Sequence, residues 1–430
     1  MENLNQEELK DVVRGACFLA SGGGGAYETG MQIAACFEPS YYGCSEVKVL
    51  TVEEAKAMTT AKYGVVTAIM GAPERMKEIK NAGMTVKAVE KLAELYGIDV
   101  KEIGCIVPAE IGALSSVIAC VTAAKMGIPV LNGDGAGRAV PVLNMTSFAI
   151  KGVSVNPTVL VGSNDDYVAL DISGAAQYSA SSAIESLARP ILDMPEFGGM
   201  AALAIWLIDL QKIDEIVTIR GTLTKCKILG KTIRETLEEA QETGNEPSIE
   251  NVLHTLQDVD YKPSFVCYGT LREAMTETSG GFDNGVVKID VDSERQLKII
   301  FQNESLLLWD SEKPAPIVVA PDLISYVIIP KEKPVGQWIY TNGDIIGPDG
   351  KLLEKLKDAN IVVVAMCAPK ELQNCAAELE AQRWSANGVE ASLKDSYRSM
   401  LEKLNGEVQK KLYLILQEES SMDLRVLFKF

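Results

Sequence analysis

Apolar residues spaced three and four apart mark residues 6–20, QEELKDVVRGACFLA, as an amphipathic helix. It ends in the glycine-rich SGGGGAYETG and is followed by a second helical run, MQIAACF. Strand-like and helix-like stretches then alternate. KYGVVTAIM reads as a strand that stops at GAP, ERMKEIKNA as a helix and EIGCIVP as a strand. AEIGALSSVIACVTAAKMG reads as a loop and helix, and IPVLN as the next strand. These apolar runs have little polar alternation, the pattern of strands buried on both faces. The succession predicts an α/β layered domain around a largely parallel sheet over residues 1–168.

The pattern changes beyond residue 168. Residues 196–213, EFGGMAALAIWLIDLQKI, read as a largely buried helix, EIVTIRGTL as a short strand, and KTIRETLEEAQETG as an exposed amphipathic helix. From Pro263 the chain becomes β-rich through SFVCYGTL, GVVKIDVD, QLKIIFQNESLLLWD and APIVVAP, with a hairpin turn at DSER. Residues 169–366 thus read as a mixed domain with a β-rich core. Residues 367–430 read as a helical segment, with SLKDSYRSMLEKLNGEVQKKLYLIL its longest stretch. The expected fold class is mixed α and β, multidomain, without internal repeats.

Composition narrows the function. A chain of 430 residues exceeds one ordinary core, and 47% hydrophobic with 23% charged residues fits a globular protein. No run approaches the roughly 18 apolar residues of a membrane span, and MENLNQEELKDVV is too polar and acidic for a secretory leader. Nine cysteines, an odd number without a CxxC, suggest reduced thiols and a cytoplasmic location. A formal charge of −18 disfavours nucleic acid as a partner. The only histidine, His254, lies in a helical stretch and reads as an ordinary helix residue, which excludes zinc sites built on two or three histidines. No cofactor is required by the sequence, and a divalent cation would need oxygen or thiolate ligands.

Three loops could carry chemistry. Gly22, Gly23, Gly24 and Gly25 fit neither phosphate-loop motif, because Ala26 and Tyr27 follow where Walker A needs Lys-Ser/Thr, and the run follows a helix. Four glycines can turn backbone N–H groups toward an anion or oxyanion, or can simply join two closely approaching helices. VPAEIG puts Glu110 just beyond one strand and at the mouth of a helix. NGDGAGRA puts Asn132, Asp134 and Arg138 beyond the next strand. Ligands of open α/β sheets sit at such strand ends. The structural alternatives are a carboxylate on a helix dipole for Glu110 and a salt bridge within the loop for Asp134 and Arg138. MGAP (Met70 to Pro73) either lines the same cleft or is a plain strand-to-helix turn. Cys17 stands one turn before the glycines, where a depressed pKa would make it a nucleophile. In FQNES, Gln302, Asn303 and Glu304 are polar residues among apolar strand positions and must find partners; Gln302 and Asn303 are taken as substrate-binding candidates.

In order along the chain, the glycine run, MGAP, PAEIG, GDGAGRAVP with NMTSFAIKG, FGGMAA, IRGTL, FQNES and APDLI resemble the S-methyl thiohydantoin desulfurase family over roughly residues 10 to 330. The resemblance implies hydrolysis of a hydantoin-type ring, with water replacing a thiomethyl group, and association with hydantoin- and oxoproline-processing enzymes. That chemistry would suit Glu110 or Asp134 as general base and Arg138 as substrate anchor, with Gly22–Gly25, Asn132, Gln302 and Asn303 as substrate-binding candidates. Ala26 and Tyr27 stand where the family carries Asp-Pro, Asn132 where it carries aspartate, and Ala136 where it carries methionine. These departures keep open a non-catalytic reading, a small-molecule-binding or partner subunit of a hydantoinase or oxoprolinase system. A homo-oligomer is expected in either case.

Overall fold

The computed structural model describes residues 2–71, 83–172, 177–279, 282–313, 316–331 and 335–374. An eight-stranded mixed sheet has the order β1-β2-β5-β4-β3-β9-β7-β8. Its strands are β1 (Glu2–Leu4), β2 (Val47–Leu50), β3 (Tyr63–Gly71), β4 (Ile103–Pro108), β5 (Val130–Leu131), β7 (Thr158–Val161), β8 (Tyr167–Leu170) and β9 (Met200–Asp209). The block β2-β5-β4-β3 is parallel and both flanks are antiparallel. A two-stranded ladder joins β6 (Gly133–Asp134) to β10 (Ile219–Arg220).

The second large sheet is antiparallel, in the order β15-β14-β13-β12-β11-β17-β16. It consists of β11 (Pro263–Ser279), β12 (Phe282–Asp290), β13 (Gln296–Gln302), β14 (Glu304–Asp310), β15 (Val318–Val319), β16 (Leu323–Ile329) and β17 (Asn360–Met366). Between the sheets lies a helical layer that includes α1 (Gln6–Leu19), α2 (Tyr27–Ala35), α3 (Gly83–Tyr96), α4 (Ala113–Met126), α6 (Thr222–Thr243) and α7 (Glu250–Asp258). One continuous apolar core runs from Val65, Ile106 and Val130 of the first sheet, through these helices, to Leu323, Val327, Val362 and Val364 of the second. Helix α5 (Gln177–Leu192) packs with Ile184 and Ala188 on the opposite face of the first sheet. Among the described residues, no helix is long and apolar enough to cross a membrane.

The helix over residues 6–20 forms as α1, where Asn5 and Glu8 make a reciprocal N-terminal cap. Residues 196–213 correct the helical expectation, because their apolar part is strand β9. A fully apolar run has no period with which to choose between helix and strand. The choice falls to tertiary pairing, here antiparallel with both β3 and β7. Trp206, at φ +53°, is the extra residue where the register slips between Val65 and Val66, and its ring is buried against Phe148. The strand expected in EIVTIRGTL shrinks to Ile219–Arg220, because Ile213–Ile216 is helical and α6 begins at Thr222. QLKIIFQNESLLLWD is two strands that turn back at Asn303, whose φ of +55° is one asparagine tolerates. The DSER hairpin joins β12 to β13 as expected. The boundary expected near residue 168 falls within β8. Residues 74–82 and the helical segment after residue 374 lie outside the described residues.

The glycine run shows why the helical layer and the second sheet meet so closely. Ser305 N–H donates to the Ser21 carbonyl at 2.7 Å, and Asn342 N–H donates to the Gly22 carbonyl at 2.7 Å. The Ser21 hydroxyl accepts from Ile324 N–H at 2.8 Å. A Cβ on Gly24, whose φ is +74°, would stand 2.3 Å from the Gly112 Cα. Backbone meets backbone there, so nothing can swing aside. Gly24→Ala should therefore lower stability by roughly 2–4 kcal/mol through steric overlap and left-handed strain. Urea unfolding followed by circular dichroism measures this, and an unchanged midpoint contradicts the close-packing account.

Candidate active site

The carboxyl ends of β3 and β4, the glycine run and the start of α4 form one side of a cavity of about 400 Å³. The turn at Asn303, the start of β14 and residues 341–350 form the other. Its wall includes Gly22 to Gly25, Met70, Gly71, Glu110, Ser115, Val140, Glu185, Arg189, Leu203, Phe301, Asn303, Glu304 and Asn342.

Among the carboxyl-bearing residues on this wall, Glu110 and Glu304 come one from each large sheet's side. Glu110 accepts from Val140 N–H at 2.7 Å and from the Ser115 hydroxyl at 3.0 Å. Glu304 is only 4% exposed, and its Oε2 has no hydrogen-bond partner among the described residues. A Cβ on Gly23 would lie 2.0 Å from Glu304 Oε1, so only glycine lets the backbone approach this carboxyl. Burial pushes the Glu110 pKa up to about 8, and the nearby Glu304 charge adds to the shift. Burial also raises Glu304, to about 7, while the Arg138 and Arg189 charges oppose that rise. Two carboxyl groups whose pKa values are both raised leave one protonated and one ionised near neutrality, and can present an acid and a base to one cavity.

The residues singled out in the sequence divide into two groups. Glu110, the four glycines and Asn303 line the cavity, as do Met70 and Gly71; Pro73 lies outside the described residues. Asp134 and Arg138 stand behind the wall. Asp134 Oδ1 accepts from the Ala136 and Gly137 N–H groups, both at 2.7 Å, closing its own loop. Burial raises its pKa to about 6. Arg138, at 0% exposure, makes no salt bridge with Asp134; it donates to the carbonyls of Ala139, Pro321, Asp322 and Ser305. Asn132 caps α6, its Oδ1 accepting from Leu223 and Thr224 N–H and its Nδ2 donating to the Thr224 hydroxyl. Gln302 donates to Asn284 Oδ1 at 3.0 Å and does not reach the cavity wall. Cys17 is buried in the core, which pushes its thiol pKa well up rather than down. His254 is exposed on α7. Among the described residues, no group of three or more His, Cys, Asp or Glu side chains is placed to hold a metal ion.

Sequence reasoning named Glu304 but did not assign it to the site. The available signal was a glutamate inside an apolar strand, where an unpaired carboxylate is costly. Glu185 and Arg189, an i, i+4 pair on α5 joined at 2.6 Å, carried no comparable signal.

A carboxyl whose pKa is raised on folding binds its proton more tightly in the native state. That advantage is present in acid and is lost as pH rises from the ordinary carboxylate range through about 8. Glu110→Gln should match wild-type stability at pH 5 and exceed it at pH 9 by roughly 1–3 kcal/mol. Urea unfolding at the two pH values checks this, and equal differences at both would contradict a raised Glu110 pKa.

Comparison with known proteins gives two matching family models. The S-Me-THD-like N-terminal domain matches residues 7–172, and the S-Me-THD-like C-terminal domain matches residues 179–346. The chain is also similar to an X-ray crystal structure of a protein from Chromobacterium violaceum. Their identity is 31% and the TM-score 0.71, over 91% of this chain and 100% of the other. No curated protein matches the chain. The paired domain matches cover most of the residues that build the cavity, and the chain belongs to the S-Me-THD-like family.

Proposed function

We propose that this protein hydrolyses a small hydantoin-type heterocycle, with water replacing a thiomethyl group on the ring. The observation that carries this reading is the Glu110–Glu304 pair, two buried carboxyl groups with raised pKa values on one cavity. Paired carboxyl groups held apart in acidity suit a reaction that must remove one proton and supply another.

In the proposed sequence, ionised Glu304 takes a proton from water as the water oxygen attacks the carbon bearing sulfur. Protonated Glu110 supplies a proton to the adjacent ring nitrogen, which would otherwise carry the displaced electron pair. The tetrahedral carbon then collapses and its C–S bond breaks. The departing methanethiolate takes the proton held by Glu304, and the new hydroxyl returns one to Glu110. The sum is ring thioether plus water giving ring carbonyl plus methanethiol, with both carboxyl groups restored. Asp134 and Arg138 act from behind the wall: the Asp134 charge raises Glu110 and the Arg138 charge lowers Glu304, which separates the two acidities.

Two expectations test this reading. Wild-type turnover of S-methyl thiohydantoins, followed as methanethiol release, should give a bell-shaped kcat/KM profile. Activity rises as Glu304 ionises near pH 7 and falls as Glu110 ionises near pH 8. Glu304→Gln and Glu110→Gln should each lose about 10²–10⁴-fold, and Glu110→Gln should also lose the alkaline limb. A wild type that binds these rings without consuming them sinks the hydrolase and leaves a binding protein.

A further inference from the structure

Asn303, at the turn between β13 and β14, is fixed at three points. Its N–H donates to the Asp283 carbonyl at 2.8 Å, and its side-chain Oδ1 accepts from Asp283 N–H at 2.9 Å. Its carbonyl accepts from Asn342 Nδ2 at 2.9 Å. A backbone N–H can only donate, so the side-chain atom on Asp283 is the oxygen and the orientation of the amide is settled. The Nδ2 end has no hydrogen-bond partner among the described residues, and Asn303 lines the cavity next to Glu304. Asn342, also on this wall, cannot take its place, because its Nδ2 donates to the Asn303 carbonyl and the Ser305 hydroxyl. The Ser115 hydroxyl proton is likewise committed to Glu110. Asn303 is therefore a neutral donor whose direction is set before any ligand arrives.

Resting on the hydrolase reading above, we propose that the Asn303 side-chain amide donates to the carbonyl oxygen of the substrate ring and stabilises the charge that reaches this oxygen as water adds. Attack at the sulfur-bearing carbon displaces the C=N electron pair toward the ring nitrogen. Where that nitrogen is bonded to the ring carbonyl, part of the charge spreads to the carbonyl oxygen until Glu110 delivers its proton. A donor fixed in advance gains strength as that charge grows, so it lowers the barrier more than it tightens ground-state binding. Rings that lack a carbonyl beside the reacting C–N unit should accordingly be poor substrates.

The test uses the full-length protein with Asn303→Asp and Asn303→Gly. Both replacements tolerate the left-handed backbone that Asn303 adopts, at φ +55°. Aspartate also keeps an oxygen for Asp283 N–H while it loses the N–H donors, so thermal melts should leave Asn303→Asp near the wild type. Its kcat/KM on S-methyl thiohydantoins should nevertheless fall about 10²–10³-fold, mainly in kcat, and Asn303→Gly should fall by a similar factor. Calorimetry supplies a readout without turnover. Asn303→Gly should bind hydantoin roughly three- to ten-fold more weakly, yet bind neutral 2-methylthioimidazole, which has no ring carbonyl, as well as the wild type does. Full activity in Asn303→Asp beside a loss in Asn303→Gly overturns donation by Nδ2 in favour of a structural clamp, and so does equal weakening for both ligands. Unchanged hydantoin binding and turnover in both variants overturns the Asn303 assignment while leaving the hydrolase intact. A wild type that neither binds nor consumes these rings overturns both proposals.

Discussion

A guanidinium cannot shed its proton, so burying one commits the surrounding chain to satisfying it. Arg138 is wholly buried, and the carbonyls that satisfy it come from its own neighbour Ala139 and from Ser305, Pro321 and Asp322 of the second sheet's edge. The loop after β5 is thereby locked to the start of β14. Its nearest electrostatic consequence is on Glu304, one residue from Ser305, whose ionised form the Arg138 charge favours. A residue outside the cavity thus sets both the position and the acidity of one inside it. Removing a buried charge's partners, or the charge itself, typically costs about 3–5 kcal/mol, so this tie is structural as well as electrostatic.

The site exists only where the two sheets are docked. Glu110 follows β4 of the first sheet, and Glu304 opens β14 of the second. The glycine run between them is held on both sides. Leu114 N–H donates to the Gly24 carbonyl at 3.0 Å, and Asn342 bridges to the Asn303 carbonyl at 2.9 Å while accepting from the Tyr326 hydroxyl at 2.9 Å. The glycines therefore act first as a thin spacer that lets two carboxyl-bearing elements approach. Their role at the cavity follows from that closeness.

What the sequence disclosed follows the reach of its local signals. Helix α1, the β3 and β4 strands and the β12–β13 hairpin carry period, caps or turn residues within a few positions of themselves. The place of Glu110 on the cavity wall follows from its position just past a buried strand and before a helix, a position that equally suits a carboxylate on the helix dipole. The apolar run of β9 was not legible, since its state is decided by pairing with β3 and β7, more than 100 and about 40 residues away in sequence. The same limit hid the division between Asp134, Arg138 and Glu304. All three are polar residues in apolar settings, and only packing shows that the first two turn toward backbone and the third toward the cavity.

The arrangement also sets function against stability in a definable way. Desolvation is the largest cause of the raised pKa at both Glu110 and Glu304, so the native state pays a penalty to keep either of them charged. A core built for stability alone would replace such a pair by apolar residues of similar volume. Four adjacent glycines are likewise costly to order. Yet each cost falls on one small region, where the glycines admit the Glu304 carboxyl and Arg138 holds its strand. A continuous apolar core runs beside it through the helical layer. Desolvated carboxyl groups and left-handed glycines gathered at one cavity are the pattern expected of a site that works on charge.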